Sequence, residues 1–113
     1  MSIMNLTPHE IVVRMADGTD RRFPPSGQLC RCQPNNRPDN EVDGIPVVRV
    51  AFSAMDGLPA PEKGVTYLVS TPAAQKAADM RRIDVVSPDT GPTAIRENGQ
   101  VTAVRGFQRF GII

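Results

Sequence analysis

The chain has 113 residues, a length that suits one domain built around one core, here residues 1–113. Its formal net charge of +1 gives no electrostatic basis for binding nucleic acid or an acidic membrane surface, so neither is an expected partner. Nine Gly and 11 Pro indicate many turns and short elements, and this composition favours a β-rich architecture over an all-helical one.

The start of the chain and the two cysteines bear on its location. The first residues lack a basic region followed by an apolar run, so we expect no signal peptide, and no apolar segment is long enough to span a bilayer. Cys30 and Cys32 are one residue apart, so a disulfide between them would be strained, and a metal site would need more ligands than a single His supplies. We expect reduced, structural thiols in a cytoplasmic protein without metal or cofactor.

The first half of the chain predicts short strands joined by turns. Asp17-Gly18 is a strong hairpin signal, and Pro46 near the start of a later strand fits an edge position. The polar segment 34–44 is expected to be a mobile loop or the tip of an extended hairpin. The strands predicted for this half cover residues 3–6, 10–15, 19–23, 28–33 and 45–52.

The centre of the chain predicts a strand followed by a helix. Residues 65–69 are apolar and rich in β-formers, as a buried strand should be. Thr71 can cap the helix with its hydroxyl, and Pro72 fits the first helical position, where no N–H is needed. Arg81 and Arg82 are expected in the last turn, where positive charge suits the helix dipole.

The last third predicts a return to β structure. Residues 84–86 form the strand after the helix, and residues 93–96 and 100–105 form a hairpin across the tight turn Asn98-Gly99. The tail after Gly106 is apolar enough to pack against the rest. The sum is an α+β fold, mostly β, with about seven short strands, hairpins at both ends and one central helix in a strand–helix–strand unit.

A candidate ligand site follows from this central unit. If the two strands that flank the helix are parallel neighbours, their carboxyl ends share one sheet edge, where ligands tend to bind. The start of the helix directs free N–H groups to the same place and would suit an anion such as a phosphate. The alternative is that Thr71 only caps and the Gly/Pro turn only reverses the chain. We name this region the predicted crevice and assign to it Ser70, Thr71, Asp89 and Thr90.

Other polar residues add weaker signals. Arg96 and Arg105 lie on the two arms of the C-terminal hairpin, and their forked guanidinium groups suit phosphate or carboxylate, although a solvated strand face with ion pairs is the simpler interpretation. His9 can act as a general base but has no obvious partner. The chain carries no G-x-x-x-x-G-K-S/T, G-x-S-x-G or H-E-x-x-H motif, so we assign no catalytic residue.

Several segments along the chain also resemble one family. They are NLTPHE at 5–10, FPPSG at 23–27, IPVV at 45–48, YLVS at 67–70, DVVSPDTGP at 84–92 and AVRGFQ at 103–108. As a set they cover nearly the whole chain, which resembles a family of small uncharacterised proteins encoded by bacteriophages and prophages. The resemblance implies a protein made in the cytoplasm of an infected or lysogenic bacterium, and it carries over no functional residue.

Small accessory phage proteins often bind rather than catalyse, and this analogy sets the functional expectation. The first hypothesis is a non-enzymatic binding protein that acts in counter-defence by sequestering a nucleotide-like signal in the predicted crevice, assisted by the hairpin arginines. A homo-oligomer joined at exposed strand edges would complete that site. The second is a protein–protein inhibitor of a host factor that uses segment 34–44 or the apolar tail. A small nucleotide-processing enzyme using His9 or Asp89, and a virion component, are the remaining alternatives.

Overall fold

The computed structural model describes residues 2–111, except for the side chains of residues 33–34 and 51–54. Ten strands and one helix in this range confirm the mostly-β α+β class with a central helix. The elements are β1 (Ser2–Asn5), β2 (Ile11–Arg14), β3 (Asp20–Phe23), β4 (Arg31–Val42), β5 (Ile45–Asp56), β6 (Val65–Leu68), α1 (Thr71–Asp79), β7 (Val85–Pro88), β8 (Ile95–Glu97), β9 (Gln100–Ala103) and β10 (Phe107–Gln108).

A four-stranded sheet in the order β1-β6-β7-β10 forms the centre of the fold. β1, β6 and β7 are parallel, and β10 runs antiparallel to β7 at the edge. The helix α1 connects β6 to β7, as a crossover between parallel strands requires. The predicted parallel strand–helix–strand unit is therefore present, and the apolar tail contributes the edge strand β10.

The main core lies between this sheet and α1. Tyr67, Leu68 and Val69 are almost completely buried, which explains the short apolar run at this point of the sequence. The buried residues of the helix are all alanines (Ala73, Ala74 and Ala77), and such small side chains allow the helix to lie close to the strands. The Tyr67 hydroxyl donates a hydrogen bond to the Ala60 carbonyl at 3.1 Å, so this buried phenol is satisfied.

The start of the helix differs from the prediction. Ser70 is the N-cap residue and makes no side-chain capping bond, while Thr71 is already helical, so the predicted cap by Thr71 is wrong. The Thr71 hydroxyl is instead placed to accept a hydrogen bond from the Gln108 side chain on the edge strand. Tertiary contact therefore determines the partner of this hydroxyl, although either residue type is a good local cap.

The end of the helix also differs from the prediction. Arg81 and Arg82 follow the helix rather than lying in its last turn. Arg81 has a left-handed backbone (φ 60°), and its N–H donates to Ala78 while that of Arg82 donates to Ala77. These two bonds are those of a Schellman motif, which satisfies the last carbonyls of the helix and turns the chain toward β7.

A second, smaller core joins the two hairpins that were predicted at either end of the chain, β2–β3 and β8–β9. Its buried residues are Val13, Ala94 and Val104. The Arg14 N–H donates a hydrogen bond to the Val104 carbonyl at 2.8 Å, which joins the two hairpins through their backbones. The rings of Phe23 and Phe107 meet edge to face, with centroids 5.8 Å apart.

Asn5 stands where the chain passes from the sheet to these hairpins, and its side chain is fully satisfied although it is buried. Its amide nitrogen donates to the carbonyls of His9 and Phe23, both at 2.8 Å. Its Oδ1 accepts from the backbone N–H of Thr7 at 2.9 Å and from the Thr7 hydroxyl at 2.7 Å. One amide therefore connects β1, the turn after it and the end of β3.

The strands β4 and β5 form a separate two-stranded ribbon. The polar segment 34–44 forms most of one strand of this extended hairpin and its turn, so the hairpin alternative is confirmed and the loop alternative is wrong. The strands reverse at Asp43-Gly44, where both residues have positive φ (49° and 75°), as a tight type I′ turn requires. The longest dimension is 52 Å and the radius of gyration is 16.3 Å, against about 13 Å for a compact chain of this length.

The base of the ribbon is fixed to the body of the protein. Cys32 and Met55, which face each other across β4 and β5, pack against the main core. Gly57 follows β5 with φ 89°, and a Cβ at this position would lie 2.1 Å from the Leu29 carbonyl oxygen. Only glycine permits this close approach, which sets the direction in which the ribbon leaves the body.

We expect Asn5→Ala to reduce the free energy of unfolding by about 2–4 kcal/mol, since it leaves the buried Thr7 and the half-buried Phe23 without their hydrogen bonds. Urea denaturation measures the change, and Asn35→Ala, at an exposed ribbon position, is the matched control. A loss under about 1 kcal/mol would mean that the Asn5 amide does not organise this junction.

A half-buried ion pair between Arg82 and Asp84 supports the chain between α1 and β7. The guanidinium donates to both carboxylate oxygens at 2.9 Å and also to the Pro59 carbonyl. The hydrogen bond from Arg82 is the main cause that holds the pKa of Asp84 below its ordinary value. A carboxylate with a lowered folded-state pKa stabilises the fold above its unfolded-state pKa, and this contribution is lost as pH falls through the folded-state pKa.

Accordingly, Asp84→Asn should lower stability at neutral pH by about 2 kcal/mol and flatten the acid limb of the stability–pH profile. Urea denaturation between pH 2 and 7 measures both effects. Asp79→Asn, at the exposed end of α1, is the matched carboxylate-to-amide control. An Asp84→Asn profile parallel to that of the wild type in acid would contradict the assignment.

Candidate functional site

The carboxyl ends of β6 and β7 lie side by side, as the predicted crevice requires. Leu68 pairs with Val86, and the Val69 N–H donates to the Val86 carbonyl at 2.9 Å. The strand order runs from β1 to β6 to β7 in one direction. Ligand crevices in open sheets form where the strand order reverses, so this parallel trio has no reversal to open one.

The Gln108 side chain occupies the space between the two strand ends. Its amide nitrogen lies 3.4 Å from the Thr71 hydroxyl, 3.2 Å from the Ser87 hydroxyl and 3.3 Å from the Pro88 carbonyl. Ser87 is completely buried. Of the four predicted crevice residues, Thr71 is therefore the one whose side chain β10 contacts, together with the neighbouring Ser87.

Two of the predicted crevice residues face different depressions in the surface. Ser70 is exposed and lines an open depression of about 290 Å³ together with Thr7 and Arg31. Thr90 lines another of about 120 Å³ together with Glu10 and Val104. The structure therefore does not bring Ser70 and Thr90 to one concave site.

The turn after β7 forms a local polar cluster. Asp89 Oδ1 accepts a hydrogen bond from the Gly91 N–H at 3.0 Å. The Arg96 guanidinium donates to the Thr90 carbonyl at 2.6 Å and to the Gly91 carbonyl at 3.1 Å. Arg105 is exposed and has no hydrogen bond to this cluster within residues 2–111. Asp89, Thr90 and Arg96 are thus brought together to hold the turn, and the ligand role of all six predicted residues stays a prediction.

Cys30 and Cys32 are free thiols. Cys30 belongs to the main core and the half-buried Cys32 packs against it, so the two side chains point the same way. Burial, followed by the neighbouring Cys32, raises the pKa of the Cys30 thiol to about 11, which keeps it protonated at neutral pH. These features describe a structural thiol rather than a nucleophile.

His9 participates in the fold through its backbone. Its carbonyl accepts a hydrogen bond from the Asn5 side chain and lies 3.0 Å from the Thr7 hydroxyl, while the residue as a whole is exposed. Its neighbour Glu10 forms an exposed ion pair with Arg22 at 2.8 Å. In the part of the chain that the structure describes, no three His, Cys, Asp or Glu side chains are grouped so that they could bind a metal ion.

The feature that sequence reasoning missed is the exposed ribbon. Its aliphatic side chains Val42, Ile45, Val48 and Val50 are 56–63% exposed. The run 45–52 was expected to be a strand in which Pro46 fits an edge position, and within the described residues it pairs with the polar arm β4 alone. The signal in the sequence was the pair of prolines, Pro38 and Pro46, since proline is excluded from central strands and leaves β5 without a second neighbour.

The exposed aliphatic side chains are divided between the two faces of the ribbon: Val48 and Val50 lie on one, and Val42 and Ile45 lie on the other. The register pairs Pro38 with Val48 and Asn36 with Val50, so these four side chains share one largely apolar face. Arg37 pairs with Arg49 on the opposite face, where Arg49 also forms an exposed ion pair with Asp39 at 3.1 Å. We call the surface formed by Asn36, Pro38, Val48 and Val50 the apolar face of the ribbon.

Comparisons with protein-family models, with curated proteins and with solved structures gave no match to this chain. The described residues include no helix that is long and apolar enough to cross a membrane.

We expect Gln108→Ala to reduce the free energy of unfolding by about 1–2 kcal/mol, because it removes the donor that lies against the buried Ser87 hydroxyl. Gln100→Ala, at an exposed position of β9, is the control and should change stability by less than about 0.5 kcal/mol. Thermal unfolding of the two variants measures the difference. Equal effects would show that Gln108 does not hold the strand ends together.

Proposed function

We propose that this chain is a small non-enzymatic binding protein that works by contact between its β4–β5 ribbon and another protein chain. One observation carries the proposal: the ribbon pairs with no other strand in the described structure and leaves Val42, Ile45, Val48 and Val50 largely exposed. An isolated two-stranded hairpin is marginal in water, and burying one aliphatic side chain gains about 1.5–3 kcal/mol. Contact with another chain would supply the burial that this ribbon lacks.

The way the ribbon is attached to the body supports a role in protein binding. Its base is fixed by Cys32 and Met55, which pack against the main core, and by the close approach at Gly57, so the arm leaves the body in a defined direction. A preoriented surface loses less conformational entropy on binding than a mobile loop would. This favours recognition of a protein surface by the arm that contains segment 34–44.

The resemblance to phage and prophage proteins supports a setting in counter-defence or host takeover. In that setting a small protein inhibits a host factor by covering part of its surface, and no chemistry is needed. The chain would then act in the cytoplasm of the host bacterium.

Sequestration of a nucleotide-like anion in the predicted crevice receives less support. The Thr71 and Ser87 hydroxyls face Gln108, while Ser70 and Thr90 open to different depressions. A ligand would have to displace Gln108 before it reached the strand ends. Binding to a panel of nucleotides that is lost in the Thr71→Ala, Asp89→Asn double variant would restore this hypothesis.

Site-specific photo-crosslinking in the producing bacterium tests the ribbon. We expect p-benzoylphenylalanine at Val50 to yield an adduct with a protein chain, and the same residue at Ile83 to yield none. Ile83 is the matched control because it is 81% exposed and lies outside the ribbon. Adding Val48→Asp should reduce the Val50 adduct at least about thirtyfold, since burying a carboxylate in an apolar contact costs about 2 kcal/mol or more.

The absence of a protein adduct at Val50, or equal yields at Val50 and Ile83, would overturn the proposal. Circular dichroism of the purified Val48→Asp variant, compared with the wild type, shows that a lost adduct reflects the surface rather than misfolding.

A further inference from the structure

We propose that the two cysteines at the base of the ribbon form a binding site for a soft monovalent metal ion, Cu(I), held by the thiolates of Cys30 and Cys32 of one chain. The site lies apart from the exposed aliphatic side chains of the ribbon and does not depend on the proposed function. It is carried by the placement of the two thiols, by the open depression beside them and by a third sulfur-bearing side chain next to them.

The two thiols lie on the same side of the chain. Cys30 belongs to the main core, and Cys32, two positions further along, packs against it. Their Cα atoms are about 6.6 Å apart along an extended chain. A direct S–S bond of about 2.0 Å would be strained between them. Two metal–sulfur bonds of about 2.3 Å each span about 4.6 Å, so a bridging metal ion fits this spacing better than a disulfide does.

An open depression gives a metal ion access to this pair. It has a volume of about 290 Å³, and both cysteines line it together with Thr7, Pro8 and Ser70. Ser70 is the N-cap residue of α1, so the positive end of this nine-residue helix borders the same space. Two thiolates and one Cu(I) together carry one negative charge, which the positive end of a helix favours.

Met55 adds a third sulfur-bearing side chain. It pairs with Cys32 across β4 and β5, so the two side chains share one face of the ribbon base. Both also pack against the main core. Thiolate and thioether sulfur atoms are the soft ligands that select Cu(I). Met55 therefore stands beside the two thiolates as a third ligand of the kind that Cu(I) accepts.

The number of ligands decides which metal the site can hold. A structural Zn²⁺ site almost always has four ligands, and within the described residues no three His, Cys, Asp or Glu side chains are grouped to bind a metal. The argument from the sequence against a metal site counted ligands for an ion of this kind. Cu(I) is a soft ion with a filled d shell, and two thiolates satisfy it. A set of ligands that is too small for Zn²⁺ thus suits Cu(I).

Binding exchanges protons for the metal and involves no change of oxidation state. In each cysteine the S–H bond breaks as the S–Cu bond forms, the proton passes to water, and the copper remains Cu(I). Burial raises the pKa of the Cys30 thiol to about 11, so at neutral pH this thiol loses its proton only when the metal takes its place. The site is therefore filled by an ion that binds thiolate strongly enough to displace the protons.

Competition with the chelator bicinchoninate, without oxygen, measures Cu(I) binding to the purified and reduced full chain. We expect one Cu(I) per chain for the wild type. Cys32→Ser should lower the affinity at least about a hundredfold, since even residues that only support a metal ligand contribute about 10- to 100-fold. Met55→Leu should lower it about tenfold. Met80→Leu, at an exposed methionine outside the site, is the matched control and should leave it unchanged.

Equal affinities of the wild type and Cys32→Ser would overturn the inference, and so would one Cu(I) per two chains, because the site needs both thiolates of one chain. Zn²⁺ bound as tightly as Cu(I) would also overturn it. An unchanged affinity in Met55→Leu would remove Met55 from the site.

X-ray absorption at the copper edge tests the site in the wild type, without any substitution that could disturb the fold. We expect only sulfur atoms around the metal. Nitrogen or oxygen neighbours in place of the two thiolates would overturn the inference. Circular dichroism of Cys32→Ser, compared with the wild type, shows that a lost affinity reflects the missing thiolate rather than misfolding.

Discussion

The arrangement of the central sheet relative to the two hairpins depends on the buried side-chain amide of Asn5. It stands at the end of β1, where the chain leaves the parallel sheet, and it binds the turn that follows and the end of β3. Without a partner in each direction, a buried amide would be costly. Because every donor and acceptor of Asn5 is used, the sheet and the hairpin layer hold one fixed relation.

Small side chains make this compact junction possible and also limit its strength. The chain has one Tyr, four Phe and no Trp, so the core is built from aliphatic residues around Tyr67 and three helical alanines. The two long strands of the ribbon add little to that core, since most of their residues are exposed. Much of the β structure of this chain therefore lies outside its core and carries exposed aliphatic side chains.

Local signals predicted the elements, whereas contacts between distant residues decided the site. The strand at 65–68, the helix after it and the two terminal hairpins follow from short-range patterns and were predicted correctly. The partner of the Thr71 hydroxyl is Gln108, 37 residues away, and no local rule connects these positions. Thr71 was expected to cap the helix because a local rule takes no account of a contact with a residue so distant in the chain.

For the ribbon, the strands could be predicted in part, but their exposure could not. Its two strands were recognised in part, but an apolar run such as 45–52 looks the same whether it is buried or exposed. A buried strand differs from an exposed one in the number of its neighbouring strands, which is a property of the whole fold. The prolines Pro38 and Pro46 carried that information, since they exclude a central position for either strand.

The location of the ribbon within the chain also affects the order of folding. β1 pairs with β6, and the whole ribbon lies between them in the sequence. A hairpin with a tight turn at Asp43-Gly44 can form from local contacts alone, within microseconds. Once formed, the hairpin brings Arg31 beside Asp56. The loop that closes when β1 pairs with β6 is thereby shortened from roughly 60 residues to roughly 35, and the entropic cost of closing it falls by about 0.5 kcal/mol. The arm that extends furthest from the body can thus help the body to assemble.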